Sequence, residues 1–242
     1  MPRLLRLPLV WVLFVVTLAS LYLKFAVLGL FGEPGRRTAV RVARVWDRLF
    51  LWVSGVRLQV EGLENLPQGT AVYMVNHRSN LDPLVFVAAV PVDTTFMVKK
   101  GLMKLPVIGM LLRVVKCIPL ERKGDGSDRD KVELAVRSVE SGRTLALFPE
   151  GTRSRDDSFL PFKKGGALIA IRTGRPVVPV ALSGTNGLMP KDAKMLRPGL
   201  VVVRVLPPIE TKGLTLDQRD ELTEKVLQAI KSAYIPAAEL QK

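Results

Sequence analysis

His77 is the only histidine in the chain, and Asp82 follows five residues later in the stretch YMVNHRSNLDP, residues 73–83. A carboxylate that holds one imidazole nitrogen fixes the tautomer of the ring. It also stabilises the imidazolium formed when the other nitrogen takes a proton. The spacing is slightly more than one helical turn, so a chain curling into a helix start after His77 would bring the two side chains together. The pair then reads as a general base and its orienting acid. Asn76 stands immediately before the histidine, and the apolar run AVYMV leads into it. On residue types alone, a surface histidine beside a helix-capping aspartate fits the same spacing.

A second group of polar residues follows another apolar run, in ALFPEGTRSRDDSFLPFKKGG, residues 146–166. Glu150, Gly151, Thr152 and Arg153 share one turn there. Glycine lets backbone approach a ligand closely, and arginine presents a planar fork suited to phosphate oxygens. Glu150 would accept hydrogen bonds from a substrate hydroxyl or hold a neighbouring arginine. Lys163 and Lys164 add positive charge a short distance on. Taken alone, this turn reads first as a solvated loop with an internal ion pair.

The elements that must position these residues alternate. Strands are expected in VRLQVEG (56–62), TAVYMVNH (70–77), TTFMVKK (94–100), KCIPLER (116–122), TLALFPEG (144–151), PVVPVALSG (176–184) and LVVVRVLPP (200–208). Each is short, rich in Val, Ile or Leu, and bounded by Gly, Pro or charge. Several are apolar on both alternations, as strands covered on both faces should be. Helices are expected in SDRDKVELAVRSVESG, with Val132, Ala135, Val136 and Val139 on one stripe, and in GGALIAIRTG, ended by Gly174. A third is expected in LDQRDELTEKVLQAIKSAY, with Leu222, Val226, Ile230 and Tyr234 at one-turn spacing. Such alternation indicates an α/β domain with a mostly parallel central sheet flanked by helices. His77 and the Glu150–Arg153 turn each end a strand of that sheet, where functional groups collect.

Ahead of the domain lies different material. From Leu7 to Leu23 the chain carries no charge; Lys24 interrupts, and FAVLGLF continues to Phe31. Such a run is at the short end of what spans a bilayer, which needs about 20 residues. A cleavable signal peptide would begin with basic residues such as Arg3 and Arg6, but no tidy small-residue cleavage site precedes a soluble start. A retained spanning or re-entrant element is the favoured reading. Gly35 to Gly55 then reads as an amphipathic helix: Arg37, Arg41, Arg44 and Arg48 on one side, and Val42, Val45, Trp46, Leu49 and Trp52 or Val53 on another. Arginines opposite tryptophans suit a helix in the headgroup region of anionic lipid, or one packing its Trp face on the domain. The chain thus divides into a membrane-anchoring segment, 1–55, and an α/β domain, 56–242. The arginines after the apolar run place that domain on the cytoplasmic side of the membrane.

Composition narrows the chemistry. With 36 Lys+Arg against 22 Asp+Glu, the formal charge is +14, which attracts nucleic acid, anionic membrane or phosphorylated substrates. Aromatic residues make up only 6% and much of the excess charge lies beside the apolar amino terminus, which argues against nucleic acid. One His and one Cys leave too few ligands for a common zinc site, and a lone Cys117 forms no intrachain disulfide. No metal and no cofactor is expected. Cys117 lies in an apolar strand and reads as core, and Ser79 is too near His77 in sequence to serve as its nucleophile.

NHRSNLD resembles the NH-x4-D signature of the glycerolipid acyltransferases, and FPEGTRS resembles their second diagnostic block. VKKGLMKLPVIGMLL (98–112), CIPLER (117–122), LPFKKG (160–165) and PVVPVALSG (176–184) are similar to further blocks of that family, in order. The likeness covers roughly residues 56–210 and is nearest to the bacterial 1-acyl-glycerol-3-phosphate (lysophosphatidate) acyltransferases. It implies transfer of a fatty acyl group from acyl-CoA or acyl carrier protein to the sn-2 hydroxyl of the lysolipid, giving phosphatidic acid. It implies His77 as general base, Asp82 as its orienting carboxylate, and Asn76 as support for the turn. Arg122 and the Glu150–Gly151–Thr152–Arg153 turn would bind the acceptor's phosphate, with Lys99 and Lys100 as further contacts. Pro179 and its neighbours would shape the pocket. Rival readings are an enzyme acylating another lysophospholipid or glycerol-3-phosphate, and a noncatalytic membrane lipid-binding protein.

Overall fold

A computed structural model describes residues 23–120, 127–154, 158–193 and 195–240, apart from the side chains of 107 and 127–129. The seven expected segments form strands β1 (Val56–Glu61), β2 (Val72–Val75), β3 (Thr94–Lys99), β4 (Ile118–Leu120), β5 (Thr144–Leu147), β6 (Val177–Ser183) and β7 (Gly199–Val205). They pair into one sheet in the order β1-β7-β6-β2-β5-β3-β4. Every neighbouring pair is parallel except β6 and β7, which run antiparallel. The mixed α/β architecture with a mostly parallel sheet is the one the alternating pattern implies.

The helices named among the described residues are α1 (Gly32–Val53), α2 (Asp82–Ala89), α3 (Pro106–Val114), α4 (Ser127–Glu140), α5 (Gly165–Thr173), α6 (Thr185–Leu188), α7 (Arg219–Ala233) and α8 (Ala237–Leu240), and residues 23–29 are helical ahead of them. Alternate residues of a strand point to opposite faces, and β2 shows how this divides the core. Tyr73 and Val75 join a cluster with Ala39, Val40 and Leu51 of α1 and Val85 and Phe86 of α2. Val72 and Met74 join the opposite cluster, with Ala135, Val136 and Val139 of α4, Ala167 and Ile169 of α5, and Leu222, Val226 and Ile230 of α7. All four residues of β2 are buried, which a continuous apolar strand between two helical layers requires. Gly174 ends α5 in the left-handed conformation, φ 60°, which glycine adopts without a Cβ penalty.

Helix α1 forms where the basic amphipathic pattern lies, but its arginines do not face outward as a set. Arg44 donates to the carbonyls of Val87 and Val92 at 3.2 and 2.7 Å, and Arg48 to that of Ala88 at 2.8 Å. The Val87 and Ala88 carbonyls lie in the last turn of α2, where helical partners run out and the helix dipole is negative, and Val92 follows just beyond it, so the two arginines cap that end of the helix. Arg36 is buried between Glu33 and Asp93. Arg37, Arg41 and Arg48 keep exposed surface, and so does part of the apolar side of α1: Val45, Trp52 and Val53 are exposed, Trp52 to 75%. The run Leu7–Leu23 lies almost wholly outside the described residues, and among the described residues no helix is long and apolar enough to cross a membrane.

Candidate active site

Strands β2 and β5 are parallel neighbours with Met74 opposite Leu147, so the chain leaves both at the same end of the sheet. That adjacency brings together two turns more than seventy residues apart in sequence. The backbone N–H of His77 donates to Glu150 Oε1 at 2.9 Å, and the N–H of Ser154 donates to the His77 carbonyl at 3.3 Å. The two constellations singled out in the sequence are one structure.

Within it, Asp82 opens α2, and the preceding turn folds back over its carboxylate. Oδ2 accepts the N–H groups of Arg78 and Ser79 at 2.6 and 2.8 Å and lies 2.7 Å from His77 Nδ1. Asp82 is fully buried, whereas the His77 side chain keeps 19% of its surface accessible. The carboxylate is placed to accept the Nδ1 hydrogen of a neutral imidazole. Nε2 is then the unprotonated nitrogen, and no described residue pairs with it. The ring stacks on Phe148 with centroids 4.3 Å apart and planes inclined by 24°, which fixes its tilt. This arrangement can take a proton from a hydroxyl held at Nε2.

Asn76 is fully buried and works as a clamp. Its side chain donates to the Leu182 carbonyl and accepts the Leu182 N–H, at 2.9 and 2.7 Å, fastening the end of β2 to β6. Ser79 Oγ donates to the Met189 carbonyl at 2.7 Å, and Leu81 N–H donates to that same hydroxyl. The serine is therefore a brace within the turn.

Glu150 is buried and its carboxylate is committed inside the protein. Oε1 holds the His77 N–H; Oε2 accepts the Leu160 N–H at 3.2 Å and Arg78 Nη1 at 2.7 Å. Of the two roles the sequence allows, substrate contact or grip on a neighbouring arginine, the second is the one occupied. The Arg78 guanidinium sits 4.3 Å from the centre of the Phe159 ring, which adds a cation–π contact. Sequence reading assigns nothing to Arg78 or Phe148. Both lie inside the quoted motifs, but only the pairing of β2 with β5 shows what they touch.

The rest of the turn is more open. Gly151 adopts φ 68°, and a Cβ there would lie 3.0 Å from Lys163 Nζ, so that lysine rests against the glycine. Thr152 is half-buried. Arg153 Nη1 donates to the Lys191 carbonyl at 2.7 Å, and Lys191 Nζ donates to the Arg153 carbonyl at 3.0 Å. Lys164 faces elsewhere, pairing with Asp220 at 2.6 Å. Lys99 ends β3, parallel neighbour of β5, and Lys100 follows; both are exposed at the same end of the sheet as the two turns. Arg122 lies outside the described residues. Cys117 is buried, and burial pushes its thiol up to about 12, which leaves it a neutral core residue.

Comparison with known proteins agrees with this geometry. A family model described as Acyltransferase matches residues 57–183. The chain is 32% identical over 192 residues to a 1-acyl-sn-glycerol-3-phosphate acyltransferase of Limnanthes douglasii, covering 79% of this chain and 68% of that protein. It is 30% identical to the 1-acyl-sn-glycerol-3-phosphate acyltransferase of Borreliella burgdorferi, covering 80% and 78%. The crystal structure of the 1-acyl-sn-glycerophosphate (LPA) acyltransferase PlsC from Thermotoga maritima superposes with a TM-score of 0.74 at 27% identity, over 90% of this chain and 95% of that one. The match spans both turns and the sheet that joins them, and the chain belongs to the acyltransferase family.

Proposed function

We propose that this acyltransferase esterifies the sn-2 hydroxyl of 1-acyl-glycerol-3-phosphate with a fatty acyl group from acyl-CoA or acyl carrier protein, forming phosphatidic acid for phospholipid biosynthesis. The observation that carries the reading is His77, tied through Nδ1 to buried Asp82 and with no described residue paired to Nε2, beside an arginine-bearing turn. A thioester is already activated, so no covalent enzyme intermediate is needed. His77 Nε2 takes the proton as the acceptor oxygen attacks the thioester carbonyl; the tetrahedral intermediate then expels the thiolate, which takes that proton from the imidazolium and restores the base. General-base help of this kind contributes roughly 10²–10⁴-fold, and holding both substrates in line contributes at least as much.

In this reading Asp82 orients the imidazole, Asn76 and Glu150 hold the strand ends, and Gly151, Thr152 and Arg153 receive the acceptor's phosphate. Lys99, Lys100 and Arg122 are further cations for phosphate. The exposed apolar side of α1, with Trp52 and Val53 outward, supports an interfacial seat on anionic membrane. The domain would lie on the cytoplasmic side of the inner membrane, where a single-chain lysolipid reaches the site without leaving lipid.

The test is acyl transfer by purified protein in detergent micelles, with lysophosphatidate, other lysolipids and glycerol-3-phosphate as acceptors and each thioester as donor. Wild type should prefer the phosphorylated lysolipid, and Arg153→Ala should raise its KM with less effect on kcat. Preference for an acceptor without a phosphomonoester would overturn the assignment.

A further inference from the structure

The segment Met189–Lys191 lies beyond the 57–183 match, yet it touches both motif turns. Ser79 Oγ, in the His77–Asp82 turn, donates to the Met189 carbonyl. Arg153, in the other turn, donates to the Lys191 carbonyl, and the Lys191 ammonium returns a bond to the Arg153 carbonyl at 3.0 Å. That single bond uses one of three ammonium donors. Lys191 is half-buried, which restricts where the remaining donors can point. Among the described residues, the carboxylates of the two turns do not neutralise this charge: Asp82 and Glu150 are buried and face His77, Arg78 and backbone N–H groups. Across the turn, the exposed Lys163 leans on Gly151.

Resting on the acceptor proposed above, we propose that Lys191 is a phosphate-binding residue that sets specificity for a phosphomonoester headgroup, acting beside Arg153. One contact holds the Lys191 backbone carbonyl on Arg153 and the other holds the ammonium beside the Arg153 backbone, which puts the lysine's charge next to the turn that carries Arg153. An arginine supplies a directional fork, and a neighbouring lysine supplies a point charge that responds most strongly to a dianion.

The competing account is that Lys191 only fastens Arg153. Lys191→Gln separates the two, because the amide keeps a donor for the Arg153 carbonyl and removes the charge. KM for lysophosphatidate, KM for the thioester and kcat are measured for wild type, Lys191→Gln, Lys191→Ala and Lys191→Arg. The expected result is a roughly tenfold higher lysophosphatidate KM for both Gln and Ala, the scale of one charge-assisted hydrogen bond. Thioester KM should be unchanged, kcat should stay within about twofold, and Arg should restore most of the loss. A Gln variant with wild-type acceptor KM, or one that lowers kcat alone, overturns the assignment while leaving the proposed reaction standing. A wild type that ignores lysophosphatidate yet acylates an uncharged lysolipid overturns both. If Lys191→Ala fails to fold, the Gln and Arg variants decide.

Discussion

The Arg78 guanidinium and the Glu150 carboxylate meet at 2.7 Å, and neither side chain has any accessible surface. Glu150 also anchors the His77 N–H, so this pair ties the histidine turn to the second turn behind the reacting face. Removing one partner of a buried ion pair leaves a charge without compensation and costs about 3–5 kcal/mol. Arg78→Met and Glu150→Gln should each destabilise the protein on that scale and abolish most activity. Arg78→Met with Glu150→Leu should recover part of the stability, since no orphan charge remains, without recovering activity. Denaturant unfolding and acyl-transfer rates on the three variants test this.

Gly151 sits at φ 68° with Lys163 against it. Alanine in that left-handed conformation costs about 1 kcal/mol, and its methyl displaces the flexible end of the lysine. Gly151→Ala should therefore lower stability slightly and raise acceptor KM several-fold, with donor KM unchanged. Thermal melts and steady-state kinetics separate the two effects.

Acid should loosen the attachment of α1. Burial raises the Glu33 carboxyl, but hydrogen bonds from Arg143, Lys116 and Arg36 outweigh it and hold the group well below the usual carboxylate range. A group depressed on folding contributes stability above its unfolded value, about 4.3, and loses it as pH falls towards the folded one. Stability should decline below about pH 4.5. Glu33→Gln should cost about 1 kcal/mol at pH 7, given the partial exposure, and flatten that acid limb. Denaturant midpoints at pH 7, 5 and 4 for both proteins check the sign.

Much of this was legible in the residues themselves. The strands stand out because Val, Ile and Leu run continuously between Gly, Pro and charge, and the five-residue step from His77 to Asp82 fits a helix start. Helix α3 escaped notice because PVIGMLLRV is apolar nearly all round and opens on Pro106, which reads as a break but is welcome at a first helical position. Periodicity places Arg44 and Arg48 on one side of α1 but cannot show that both reach the open carbonyls at the end of α2. The Arg78–Glu150 pair depends on β2 lying next to β5, and nothing local to either turn encodes that neighbour.

The central claim concerns His77 Nε2 and the proton of the acceptor hydroxyl. Single-turnover acyl transfer with saturating lysophosphatidate and thioester measures it most directly, comparing wild type with His77→Ala and Asp82→Asn. The account predicts that the alanine variant binds both substrates but transfers roughly 10²–10⁴-fold more slowly. The asparagine variant should also be impaired, because an amide can present its N–H to Nδ1 and favour the wrong tautomer. A histidine-free protein that transfers acyl groups within tenfold of the wild-type rate would contradict it.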